Sequence, residues 1–219
     1  MRIVSSVITG DIVGSSQIRG DYKGVLHQIG EDIRQYVDDR FMIDIYRGDS
    51  FQTISKKPEQ AFQILIMIKA GLRQYSSKQA GTDLQWDARM SLGIGVLDAY
   101  PQSADLSEFS GEPFTRSGRA LDKVKEKGSL LHITTGDATL DAAFEATCPL
   151  IEVITNRWNT TQAQAVYHSL LRNFTQQQLG ALFKITQRAA GKRLDSSNLE
   201  AIRGYDRHFQ QLIKRKWKI

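Results

Sequence analysis

Asp11 and Asp49 are the residues whose types and spacing first suggest chemistry. Asp11 follows the β-branched run Ile3-Val4-Ser5-Ser6-Val7-Ile8-Thr9, and Asp49 sits in Arg47-Gly48-Asp49, a tight turn between two further strand-like runs. Each alone is ordinary, since aspartate is a common helix cap and a common turn residue. Two carboxylates that converge repel each other, and the usual remedy is a bound Mg²⁺ or Mn²⁺, which takes hard oxygen ligands. Just beyond Asp11, the backbone amides of Gly14, Ser15 and Ser16 lead towards a helix N-terminus, an arrangement that suits phosphate. The pair therefore predicts a divalent metal with a phosphate group beside it.

A second group lies near the other end. Residues 176–194, from Gln176-Gln177-Gln178 to Lys192-Arg193-Leu194, read as a helix-turn-helix, with Thr175 and Thr186 as N-caps, Gly180 midway in the first helix and Ile185 in the turn. Ala189 and Leu194 are expected to pack the second helix. That leaves Thr186, Gln187, Arg188, Lys192 and Arg193 for base edges and phosphates of duplex DNA. The same spacings also describe a plain helical hairpin. Charge favours DNA: residues 156–219 hold 12 Lys/Arg against 3 Asp/Glu, whereas residues 1–155 hold 17 against 21.

These residues have to be positioned by regular elements. The expected strands are 3–9, 41–46, 50–54, 88–97 and 130–134, with helices over about 21–40, from Pro58 onward, and 114–127. The first six elements match a ferredoxin-like split β-α-β, in which the first and third strands are central neighbours. Such pairing brings Asp11 beside Asp49, although they are 38 residues apart in sequence. After Pro149 the pattern is helical only, over 151–158, 162–171, 176–183, 187–194 and 199–214. The expected fold is thus α+β: a palm-like βαββαβ domain over residues 1–148, then an all-α helix-turn-helix domain over 149–219.

Composition narrows the field. With 41% hydrophobic and 24% charged residues, wholesale disorder is not expected. Cys148 is the single cysteine, which excludes an intramolecular disulfide and a cysteine-rich zinc site. The longest apolar run, Ile64-Leu65-Ile66-Met67-Ile68, is far short of the ~20 residues of a membrane span. Without a signal-peptide pattern, a cytoplasmic protein with no membrane partner is expected.

Four segments resemble class III nucleotide cyclases. Val7-Ile8-Thr9-Gly10-Asp11-Ile12-Val13-Gly14-Ser15 is similar to their first metal motif and Tyr46-Arg47-Gly48-Asp49-Ser50-Phe51 to their second. Met90 to Val96 resembles their glycine-containing strand, and Gly111 to Leu121 their late helix. The resemblance implies that Asp11, Asp49 and the Ile12 carbonyl bind metal. It implies further that Arg119 steadies a phosphate in the transition state, and that Thr115 replaces the family's asparagine. It puts Ile45 at the base-reading lysine and Glu108 at that lysine's acidic partner. It also implies a homodimer in which the aspartates of one chain face Thr115 and Arg119 of the other. The whole arrangement resembles the SatD-like family. Three functions follow as expectations: a DNA-binding regulator that senses a nucleotide with a divalent metal, a nucleotidyl cyclase or transferase, or a ligand-free dimerisation module.

Overall fold

The computed structural model describes residues 3–46, 48–79, 82–103, 105–107 and 109–219. In chain order the first elements are β1 (Ile3–Ile12), α1 (Tyr22–Tyr36), β2 (Met42–Tyr46), β3 (Ser50–Ser55) and α2 (Ala61–Arg73). They are followed by β4 (Ser76–Gln79), β5 (Thr82–Gln85), β6 (Ala88–Leu97), α3 (Glu112–Lys127) and β7 (Leu131–Thr134). The main sheet has the order β2-β3-β1-β6-β7. β1 is antiparallel to both neighbours, with Val7 opposite Ile54 on one side and Gly93 on the other. The four strands β2, β3, β1 and β6 therefore have the split β-α-β order, and β7 extends the sheet in parallel to β6.

Strand alternation divides the side chains between two faces. Ile8, Ile12, Met90 and Leu92 enter the main core with α1 and α2, whereas Val7, Ile54 and Leu97 meet Phe114 of α3 in a smaller cluster on the opposite face. Glycine makes the second contact possible. A Cβ at Gly93 would lie 2.4 Å from the Pro113 carbonyl oxygen and 2.6 Å from the Ser117 amide, so α3 can lie this close to β6 only because residue 93 has no side chain.

Five more helices complete the chain: α4 (Ala138–Thr155), α5 (Thr160–Arg172), α6 (Gln176–Phe183), α7 (Gln187–Ser196) and α8 (Leu199–Trp217). α2 is apolar nearly all round, as a helix covered on all sides must be. The sheet covers one side of it. On the other, Phe62 meets Tyr205 and Phe209 of α8 with ring centroids 4.7 and 5.8 Å apart. One apolar cluster consequently runs from Ile8 to Ile213.

Two elements depart from the sequence expectation. The helix expected over 151–158 is the tail of α4, which starts at the Asp137 N-cap and passes through residues 148 and 149, where the sequence pattern puts a domain boundary. Pro149 does not break α4. It is exposed, so the Glu145 carbonyl that loses its i+4 donor stands on the solvent side. The β4–β5 hairpin is not expected from sequence because its residues are polar and carry no apolar alternation. No described helix is long and apolar enough to cross a membrane.

Asp206 of α8 gives the fold a pH dependence. Burial pushes its carboxyl up to about 6, against the opposing pull of the Gln210 hydrogen bond. Its Oδ1 has no partner among the described residues. A carboxyl raised in the folded state contributes stability below its unfolded value, near pH 4, and loses it as pH rises towards 6. Asp206→Asn is therefore expected to stabilise the protein by roughly 1–2 kcal/mol at pH 7 and to change nothing at pH 4. Urea denaturation at the two pH values checks this, and equal increments at both would contradict it.

Candidate functional site

The site is assembled at the end of β1 where that strand meets the β2–β3 turn. Asp11 pairs with Ser50 across β1–β3, and the Ile12 N–H donates to the Asp49 carbonyl oxygen at 3.1 Å. The strand pairing thus brings the two aspartates to one end of the sheet. Gly48 turns the hairpin at φ +83°, in the left-handed region that glycine adopts without strain. The Ser15 hydroxyl donates to Asp49 Oδ2 at 2.6 Å and fixes that carboxylate from the loop after β1.

Asp11 lies on the α3 face and is mostly covered, with 13% of its side chain accessible. Arg89, its direct partner across β1–β6, stands 3.7 Å from Oδ2, and Lys125 of α3 stands 3.5 Å from the same oxygen. The other oxygen, Oδ1, is buried without a partner among the described residues. A buried carboxylate oxygen without a donor is costly unless something else satisfies it. The donor set of Asp11, Asp49, the Ile12 carbonyl and the Ser15 hydroxyl is hard oxygen throughout and fits Mg²⁺ or Mn²⁺. Mg²⁺ commonly takes one or two carboxylates and keeps its waters. No cluster of three or more His, Cys, Asp or Glu occurs among the described residues.

Beyond Asp11 the same face stays polar. Thr9 Oγ1 lies 2.8 Å from Ser117 Oγ and accepts from Gln52 Nε2 at 3.2 Å, and Asp44 Oδ2 accepts from the Leu106 amide at 3.0 Å. A cavity of about 390 Å³ opens here, lined among others by Tyr46, Gln52, Phe109, Phe114 and Thr115. It offers aromatic and amide surface on the same face of the sheet as Asp11.

The remaining expected residues are distributed as follows. Thr115 is exposed and lines this cavity together with Tyr46 and Gln52 of its own chain. Arg119 is exposed on α3, and Glu108 lies outside the described residues. Ile45 packs against the main core, on the sheet face opposite the cavity, because β2 alternates. Gly14, Ser15 and Ser16 do not lead into the N-terminus of α1. A short 3-10 turn (Ser15–Gln17) intervenes, and α1 starts at Tyr22 under its own cap, Asp21, which accepts the Gly24 N–H. Sequence reasoning misses Arg89 and Lys125. Arg89 is recognisable only as a charge inside an apolar strand, and Lys125 only through the path of α3.

In the helical region, Thr175 and Thr186 cap α6 and α7 as expected. Thr186, Gln187, Arg188 and Lys192 are exposed. Arg193 is not: it is half-buried, with its guanidinium 5.5 Å from the Phe183 ring centre. Ala190 and Gly191 of α7 are buried; Leu194 is half-buried and packs against the main core as expected, and Ala189 is half-buried.

The split β-α-β sheet, with Asp11 and Asp49 at one end of it, defines an α+β protein. The sequence profile of the SatD family matches residues 3–213, and the chain belongs to that family. No curated protein matches the chain significantly. Among solved structures, similarity extends to GGDEF-type domains. One is the active GGEEF domain of a diguanylate cyclase from Vibrio cholerae, at 16% identity and TM-score 0.41, covering 62% of this chain and 84% of that one. Another is the FimX GGDEF domain from Pseudomonas aeruginosa, at 18% identity and TM-score 0.39, covering 60% and 81%. A third is the GGDEF domain of DgcB from Caulobacter crescentus in complex with c-di-GMP, at 14% identity and TM-score 0.39, covering 60% and 77%.

Proposed function

We propose that this SatD-family protein binds a nucleotide phosphate together with Mg²⁺ or Mn²⁺ at Asp11 and Asp49, and that its α6–α7 pair contacts duplex DNA. The observation that carries the reading is the setting of Asp11. Its carboxylate has an unpartnered buried oxygen for a metal and stands between Arg89 and Lys125, two cations suited to the oxygens of a phosphate. When bound, the metal neutralises the two carboxylates and the phosphate at once. Asp11 and Asp49 hold it, Ser15 keeps Asp49 in place, and Arg89 and Lys125 orient the phosphate. Thr115 and Gln52 offer polar groups to the sugar or base in the adjoining cavity, and exposed Arg119 can reach out to an outer phosphate oxygen.

Ile45, packed in the core, offers no base-reading cation, which favours a sensor over an adenine-specific cyclase. Titrating the protein with each of the four nucleoside triphosphates, with and without Mn²⁺, tests the reading. Metal-dependent binding without pyrophosphate release supports the sensor, release of pyrophosphate supports an enzyme, and no binding overturns both.

The DNA half of the proposal rests on the cap of α7, on the exposed Thr186, Gln187 and Arg188 at its start, and on the exposed Lys192 about one turn further along. Residues 149–219 act in it as the helical DNA-contacting unit. Replacing Arg188 and Lys192 by alanine is expected to weaken duplex binding about tenfold or more at low salt. It should also flatten the dependence of log K on log salt by roughly 2, one for each phosphate no longer neutralised. Adding Arg193→Ala is expected to contribute less, because its guanidinium already lies over Phe183. Binding that keeps its full salt slope in the double variant would return α6–α7 to a packing role.

A further inference from the structure

Of the large apolar side chains exposed among the described residues, Leu150 and Val153 are the most exposed, at 65% and 53%. Both lie on α4, one turn apart. Ala142, Ala146 and Pro149 are exposed on the same side, at spacings that form a single stripe along the helix. Glu152 does not interrupt the stripe, because it turns inward to accept the Leu130 and Leu131 amides at 3.0 and 2.9 Å. The stripe is flanked by charges of opposite sign: Glu145 on one side of Leu150, exposed and paired with the exposed Lys127, and Arg157 just beyond the last turn, also exposed.

We propose that α4 is the homodimer interface, packed antiparallel against α4 of a second copy across a two-fold axis beside Leu150. An isologous contact requires a surface that complements itself, each residue i meeting j while j meets i. Only the antiparallel register does this here. It lays Leu150 near Leu150 of the second copy, Pro149 opposite Val153, and Glu145 opposite Arg157 at both ends of a patch roughly 18 Å long. Ala146 lets the backbones approach. A parallel pairing would instead set Glu145 against Glu145 and Arg157 against Arg157. One helix pair buries less than the ~800 Å² per partner of a standard interface, so a dissociation constant in the micromolar range is expected. The interface deepens the homodimer expectation without resting on the nucleotide site, whose cavity is lined within one chain.

Sedimentation equilibrium and a paired charge exchange test it. Wild type is expected to dimerise by about 100 µM chain. Leu150→Glu with Val153→Glu should be monomeric while melting as wild type does. Glu145→Lys and Arg157→Glu should each weaken the dimer several-fold, and the two together should restore it. Asp11→Asn with Asp49→Asn should leave it intact. A monomeric wild type, a dimer that survives the Leu150/Val153 variant, or two charge variants that fail to rescue each other would overturn the proposal.

Discussion

Arg73→Ala is expected to lower stability by about 3–5 kcal/mol, a fall of roughly 10 °C in Tm for a chain of this size. Arg73 ends α2 inside the protein, 9% accessible. Its guanidinium donates to Asp87 Oδ2, to Gln85 Oε1 at 2.9 Å, and to the carbonyl oxygens of Asn156 at 2.8 Å and Trp158 at 2.9 Å. Asp87 is also held by Lys69 at 2.9 Å, and burial keeps the Lys69 ammonium below its usual pKa against the pull of that same carboxylate. Removing Arg73 leaves the buried Trp158 carbonyl oxygen, the part-buried Asn156 carbonyl oxygen and the Gln85 amide oxygen without their donor. One buried cation must then balance Asp87 alone, and breaking a buried ion network from one side carries that order of cost. Arg73→Lys keeps the charge but cannot reach four acceptors from one nitrogen, so only part of the stability should return. A destabilisation under about 1 kcal/mol in chemical denaturation would mean that water replaces the guanidinium freely.

The same cluster explains why some of the site is legible in sequence and some is not. Asp11 and Asp49 are legible because strand type and turn chemistry are local, and the split β-α-β order follows from local elements in sequence. Arg89 and Lys125 depend on register and helix path: Arg89 faces Asp11 only because β6 pairs with β1 through Ala88–Ile12, and Lys125 reaches it only because Gly93 lets α3 lie low on the sheet. Asp87 carries no motif at all, yet its carbonyl oxygen accepts the Val13 N–H at 2.9 Å and so ties the loop after β1 to the buried ion network. The α4 helix is obscured by Pro149, whose cost depends on whether the freed carbonyl faces water. Arg193 is misplaced by pattern because helices as short as α6 and α7 show too few turns to fix which face is buried.

Asp11→Asn combined with Asp49→Asn is expected to abolish Mn²⁺-dependent stabilisation, which in wild type should approach ~2.7 kcal/mol when free metal is about a hundredfold above its Kd. The double amide keeps shape and hydrogen-bonding capacity but removes both negative charges, so a merely structural role for the pair would leave the metal response in place. Lys125 and Arg89 separate metal from phosphate by the sign of their effects. Without nucleotide, each cation competes with metal for Asp11, and Lys125→Ala should tighten Mn²⁺ binding. With nucleotide present, the same variant no longer offers a charged donor to the phosphate, and nucleotide affinity should fall about tenfold, some 1.4 kcal/mol. Calorimetric titration of Mn²⁺ alone, then of nucleotide at saturating Mn²⁺, reads the two effects separately. Opposite signs are the signature of a cation placed to share a carboxylate with a metal and then pass to a phosphate. Equal weakening in both titrations would instead make Lys125 a structural support for Asp11, and no change in either would place the phosphate elsewhere on the sheet.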